Sequence, residues 1–372
     1  MEKSKISVSQ LFTMMFIFEM GTALVISYGI GAKKDAWLAI LLGMCGGIVL
    51  FCIYYFLYRQ YPNLILTGYA RKIFGKHLGW AIGLLYVVFF MYASARTLRD
   101  FGGLMLSSTL PETPLLAINL SFVLVMCYVL YLGVEVLGRT AEVFIVVLFL
   151  FGIVGNFLVL VSGHVDLHHL QPFLEDGWKP ILTTAFPLAT VLPFGEMLVF
   201  TFLLPHLNRP ELAKTTWLSA LILSGLILSY TTSLDVAVLG VKEVERATFP
   251  LLSTIGRVEL LEFIQRLDAI VVFTFLITVF FKVSIFFYGA VMGMVDLFKL
   301  ENPQQIILPS GVIVFFLSMS VASNSAEHIE EGLKIVNYYL SIPFFVIIPL
   351  IMLFVTIIRN YFKKGKVKSN VT

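Results

Sequence analysis

Apolar residues in this chain are gathered into long runs separated by short polar connections, the pattern of helices that cross a membrane. About ten runs are near the length needed to cross a ~30 Å hydrocarbon layer, at roughly 9–31, 36–58, 79–107, 115–133, 140–161, 181–204, 214–239, 266–292, 306–322 and 335–358. An even number of spans places both termini on one side. Three connections are more than links. Residues 63–77 begin with Asn63 and carry apolar residues at helical spacing, which predicts an Asn-capped surface helix. Residues 163–180 form a polar segment in which His164, His168 and His169 lie beside Asp166, reading as a solvated loop rather than a metal site. Residues 241–265 hold two amphipathic pieces split near 250–256, either a lid over the outer mouth or inert covering.

Two runs are interrupted where a membrane helix should be most regular. In the sixth, Pro187-Leu188-Ala189-Thr190-Val191-Leu192-Pro193-Phe194-Gly195-Glu196 places two prolines, a glycine and a carboxylate at mid-span. Pro193 has no N–H for the helical ladder and its ring clashes with the preceding turn. Gly195 leaves helical angles at little cost. The freed backbone groups must then face protein, water or a ligand. A proline kink with a snorkelling acid is the plainer alternative; a broken helix whose half-helix ends form a binding site is favoured. The first run repeats the oddity, since in Ile17-Phe18-Glu19-Met20-Gly21-Thr22-Ala23 an acid precedes a glycine and a threonine. The two interruptions lie about five helices apart, so the second half enters from the opposite side. This is the pointer to an inverted-repeat fold with a midplane site, with repeats near 9–161 and 181–358 in one domain spanning 1–372.

Glu19, Arg96, Arg99, Asp100, Glu142, Glu196, Asp235 and Lys282 fall inside apolar runs. Such residues are costly there and mark functional sites by default. Tyr92, Arg96 and Asp100 are four apart on the third run and share a face, so Arg96 and Asp100 are placed to pair. Arg99 has Glu142 or a backbone carbonyl as candidate partners, in a network that either holds helices together or serves function. Lys282 sits deep in the eighth run, where a lysine can exchange a proton or stand in for a bound cation. Asp235 lies near a run's end, within reach of water.

The composition agrees with this reading. The 372 residues are 59% hydrophobic and 13% charged, against roughly 25% charged in soluble domains. The net charge of +3 says little, but its distribution says more. Fifteen basic residues, including Lys3, Lys5, Arg59, Arg71, Lys72, Arg139, Arg209 and the tail at 359–372, fall on the side of the termini, and eight on the other. The positive-inside rule therefore places both termini in the cytoplasm, and the basic tail is suited to anionic lipid. The first run is long and holds Glu19, so it reads as a permanent helix rather than a signal peptide. Cys45, Cys52 and Cys127 all lie in apolar runs and imply no disulfide framework. No phosphate-binding loop, zinc-type spacing or nucleophile elbow appears, so no cofactor, metal, nucleic-acid partner or enzymatic activity is expected.

With these stretches in hand, the chain resembles the B-subunit family of bacterial spore germinant receptors. The resemblance rests on Pro193-Phe194-Gly195-Glu196-Met197, on the opening Ile6-Ser7-Val8-Ser9-Gln10-Leu11-Phe12, on Gly138-Arg139-Thr140-Ala141-Glu142, and on Arg266-Leu267-Asp268, and it covers essentially the whole chain. It implies a branch of the amino acid–polyamine–organocation superfamily, an all-α membrane protein of ten helices in the LeuT-like five-plus-five inverted repeat. It also implies a germinant-sensing subunit of the spore inner membrane that works with an A-type membrane subunit and a C-type lipoprotein. Its germinant would be a small nutrient, often an amino acid, elsewhere a sugar or nucleoside. By position, Gly21, Thr22, Phe194 and Gly195 would hold the ligand, with Tyr92 and Lys282 closing the pocket. Glu19, Arg96, Asp100, Glu142 and Glu196 would carry intramembrane charge or a proton relay. The competing reading is a proton-coupled amino acid permease. A purely structural subunit would leave the broken helices and buried charges unexplained.

Overall fold

The structure, a computed structural model, describes residues 5–258, 268–322 and 324–369. Lys3, Arg266, Leu267 and the end of the 241–265 segment, among the positions singled out above, lie outside the described residues. Every regular element among those described is a helix. Among the described residues, eight helical stretches are long and apolar enough to cross a membrane, and two shorter apolar helices, Val8–Met20 and Gln304–Ser320, complete the ten expected spans.

The first span opens at Ser7, whose hydroxyl accepts from the Gln10 N–H while the Gln10 side chain accepts from Ser7 N–H, a reciprocal cap. Its 13-residue helix rises only about 20 Å, two-thirds of a bilayer's apolar core. It stops at Gly21 (φ +23°), and the chain continues through turns to the 3-10 helix Ile30–Asp35. The second span is Ala36–Gln60, the third Lys76–Ser108, the fourth Leu115–Leu132 and the fifth Val134–Val161. The sixth runs through Trp178–Thr184 and a π turn at Ala185–Ala189, and resumes after Pro193 as the 3-10 helix Phe194–Phe202. Ala213–Leu239, Asp268–Phe298 and Gln304–Ser320 are the seventh, eighth and ninth. The tenth begins at Ser325–Glu331, passes through π turns over Gly332–Ser341 and Pro343–Ile347, and ends as Ile348–Ser369.

The eighth span packs along the third, the second along the seventh, and the first lies among the fifth, seventh and eighth. The two broken spans are thereby placed inside the bundle. Their ends on the termini side are tied: Ile6 N–H donates to the His206 carbonyl (2.9 Å) and Asn208 N–H to the Ile6 carbonyl (3.0 Å). Two of the stretches that carried the family resemblance also meet here. Gln10 donates its amide to Glu142 (3.3 Å), and a Cβ on Gly138 would sit 3.1 Å from the Gln10 side chain.

Three local expectations are corrected. The surface helix is Leu66–Phe74, with Ile65 at its cap and no side-chain cap bond, so Asn63 does not start it. Arg71 on this helix pairs with Asp296 of the eighth span at 2.5 Å, and the tertiary contact decides its position. Residues 250–256 are not the split between two pieces but a helix, Pro250–Gly256, begun by a proline at its first position. Asp235 does not reach water: it is buried and accepts from Thr254 of that same helix at 2.6 Å.

Candidate functional site

The breaks in the first and sixth spans face one another across Lys282. Its ammonium lies 2.5 Å from a Glu196 carboxylate oxygen, with the two side chains only 2% and 10% exposed. Its stem runs against the break itself, since a Cβ on Gly21 would fall 2.4 Å from Lys282 Cδ and 3.3 Å from Nζ. The Phe18 ring lies 5.3 Å from the ammonium, a cation–π approach. Thr278, one turn earlier on the eighth span, donates its hydroxyl to the Gly21 carbonyl (3.1 Å) and satisfies a group the helix end leaves free. Glu19 is fully buried within electrostatic reach of Lys282 and Glu196, and neither of its carboxylate oxygens has a hydrogen-bond partner among the described residues. One lysine against two carboxylates leaves one negative charge for a proton or a cationic ligand group to neutralise.

A cavity of about 80 Å³ opens beside this cluster. Of the residues expected at a site, Thr22, Tyr92, Arg96, Asp100, Glu196 and Lys282 line it. Thr22 is held by a 2.8 Å hydroxyl contact with Tyr28, a second lining residue from the unwound stretch. The volume is well below the ~300 Å³ at which drug-sized pockets begin, so only a small molecule fits.

The expected Arg96–Asp100 pairing is replaced by contacts across helices. Asp100 takes the His328 ring (Nε2, 3.0 Å), and Arg96 donates to the His328 carbonyl and to Tyr92 (3.3 Å), with Glu331 at 4.0 Å. His328 is buried, lines the cavity and was missed by the sequence reading, which treated its surroundings as a polar connection. The available signal was Asn324, three residues before Glu327: the Asn324 side chain accepts from the Glu327 N–H and starts the tenth span there. Arg99 bonds the Ala322 carbonyl (3.1 Å), so of its two candidate partners the carbonyl is the observed one.

Five of the expected residues do not line the cavity, Glu19 behind the ion pair being one. Phe194 turns into the second span, where a Cβ on Gly47 would meet its Cβ at 2.4 Å. Gly195 acts through its carbonyl, which accepts from Tyr54 (3.2 Å); the same hydroxyl also bonds the Phe345 carbonyl and so joins the sixth and tenth spans. Gly21 gives backbone only. Glu142 is bound by Gln10 near the start of the first helix, away from the break at its other end.

Comparison with known proteins gives the family and the fold. A family described as "Spore germination protein" matches residues 5–326. Spore germination protein KB of Bacillus subtilis (strain 168) is 39% identical over 369 residues, covering 99% of this chain and 98% of that protein. Spore germination protein A2 of the same organism is 26% identical over 298 residues, 77% of each chain. Two solved structures share the fold. Mhp1, a nucleobase-cation-symport-1 family transporter in a closed conformation with bromovinylhydantoin bound, matches with TM-score 0.69 at 14% identity, over 92% of this chain and 78% of that one. MhsT in complex with L-phenylalanine matches with TM-score 0.69 at 13% identity, over 95% and 89%.

Proposed function

The chain belongs to the spore germination protein family, and on that footing we propose that it is the membrane-embedded B subunit of a nutrient germinant receptor, binding a small amino acid between the broken spans. The observation that carries the reading is the charge pattern around the 80 Å³ cavity. Arg96 offers a guanidinium to an α-carboxylate. Glu196, with Glu19 behind it, offers a carboxylate to an α-amino group that competes with Lys282. The volume favours a side chain no larger than that of the smallest amino acids.

Binding would shift the transporter-like fold between states, with an A-type subunit and a C-type lipoprotein reading the shift. The setting is the spore inner membrane with both termini on the core side, in line with the basic residues there. Lys282 is a fixed internal cation at the junction of the breaks, so ligand binding should need no sodium.

The likeness in fold to the transporter Mhp1 supports a second reading, proton-coupled transport of the same ligand. Thermal unfolding of the purified chain across amino acids, nucleosides and sugars tests the first. A ligand at a hundred-fold excess over Kd adds about 2.7 kcal/mol to the folded state. A midpoint rise with one small amino acid, equal in sodium and potassium and absent in Val336→Trp, which fills the cavity from the lining of the tenth span, is the expected result. No rise with any of the panel overturns binding by this subunit. Saturable, proton-gradient-sensitive accumulation of the ligand in vesicles would replace the sensor with a permease.

A further inference from the structure

A second cavity of opposite character lies on the other side of the first span. It holds about 370 Å³ and is walled by the first, fifth, seventh and eighth spans, with the Pro250–Gly256 helix across one end. The unwound stretch of the first span is the partition between the two cavities. Met20 and Leu24 face the large one, while Thr22 and Ile26 face the small polar one.

The large cavity opens through Phe149 and Ile153 of the fifth span and Tyr230 of the seventh, which are 43%, 68% and 48% exposed. Val146 and Leu150, beside them on the fifth span, are 67% and 58% exposed. An exposed face of this kind in the middle of a span is in contact with hydrocarbon, so the cavity is continuous with the lipid-facing surface and not with water. Water does not fill such a space: an apolar cavity of ~150 Å³ stays dry and accepts a hydrocarbon guest. This one is more than twice that size, and a void left empty would strip its walls of contacts.

We propose that this cavity is a binding site for one acyl chain of a membrane phospholipid, entering between the fifth and seventh spans and ending against Phe16 and Met20. The chain fills the space behind the break in the first span and braces Met20 and Leu24 from the side opposite the polar site.

The structure supplies two ways to close the cavity. A Cβ on Gly155 would meet only Ile255 Cδ1 at 3.7 Å and Ile270 Cγ2 at 3.9 Å, so Gly155→Leu grows into the space without a backbone clash. Thr274→Phe fills it from the eighth span. The test uses the full chain in phosphatidylcholine nanodiscs with a phospholipid bearing a diazirine at the end of one acyl chain, followed by irradiation and peptide mapping. The expected result is labelling of Met20, Leu24 or Val271, residues of the inner wall, falling at least ten-fold in both variants. Labelling of the outward-facing Val146 and Leu150 should stay unchanged. Inner-wall labelling that is absent in the wild-type chain, or that persists in both variants, overturns the proposal.

Discussion

The two broken spans come apart by different means. The sixth is broken by its own covalent chemistry, with Pro187 inside a π turn and Pro193 just before the chain regains a 3-10 helix at Phe194. The first contains no proline. It ends at Gly21 because the Lys282 stem fills the place where a Cβ would project and Thr278 takes the Gly21 carbonyl. One break is local and would persist in isolation; the other is imposed by the eighth span.

Substitutions separate the two. Lys282→Met should have the largest effect, because it strips the cation from two buried carboxylates and from the first break together. Removing one partner of a buried ion pair costs about 3–5 kcal/mol, read as a lowered unfolding midpoint, and Glu196→Gln in the same chain should recover part of it. Gly21→Ala comes next. It meets Lys282 Cδ at 2.4 Å and the Phe18 carbonyl at 2.7 Å with φ at +23°, so a loss of about 2–3 kcal/mol is expected, with the sixth span's packing intact. Tyr54→Phe acts on the sixth break and its tie to the tenth span, not on the first, by leaving the Gly195 and Phe345 carbonyls without their shared donor, about 1–3 kcal/mol. The smallest effect belongs to Gly195→Ala, whose Cβ would meet the movable Leu50 Cδ1 at 3.3 Å and Phe345 Cβ at 3.4 Å, and a loss below about 1 kcal/mol is expected. A Gly195→Ala loss equal to that of Gly21→Ala would collapse the distinction between the two breaks.

That distinction also explains what could be read from the sequence. Ten spans follow from apolar run length, and the sixth break follows from Pro193 and Gly195, since both signals are local. For the first break only the position was legible, from Glu19, Gly21 and Thr22. Its extent was not, because no residue between Gly21 and Gly29 forbids a helix and the packing does. The same limit governs the site. Tyr92, Arg96 and Asp100 share a face as their spacing demands, but spacing within one helix cannot reveal His328 arriving from the tenth span to take the place of the Arg96–Asp100 pair. Phe194 sits in the most specific motif of the chain and yet serves packing against Gly47, so motif membership alone did not separate contact from support.

The bridge between Ile6 and the chain after the sixth span has a consequence for assembly. Residues 6 and 207 are 201 positions apart, and at roughly 5–20 residues per second the ribosome needs about 10–40 s to make the second after the first. Lys282 follows Glu19 by 263 positions, later still. Throughout that interval the first helix sits in the bilayer without the partners that close its end, and Glu19 lacks Lys282. Biogenesis therefore passes through an intermediate that lacks these contacts at the future binding site, and translation sets the least time it lasts.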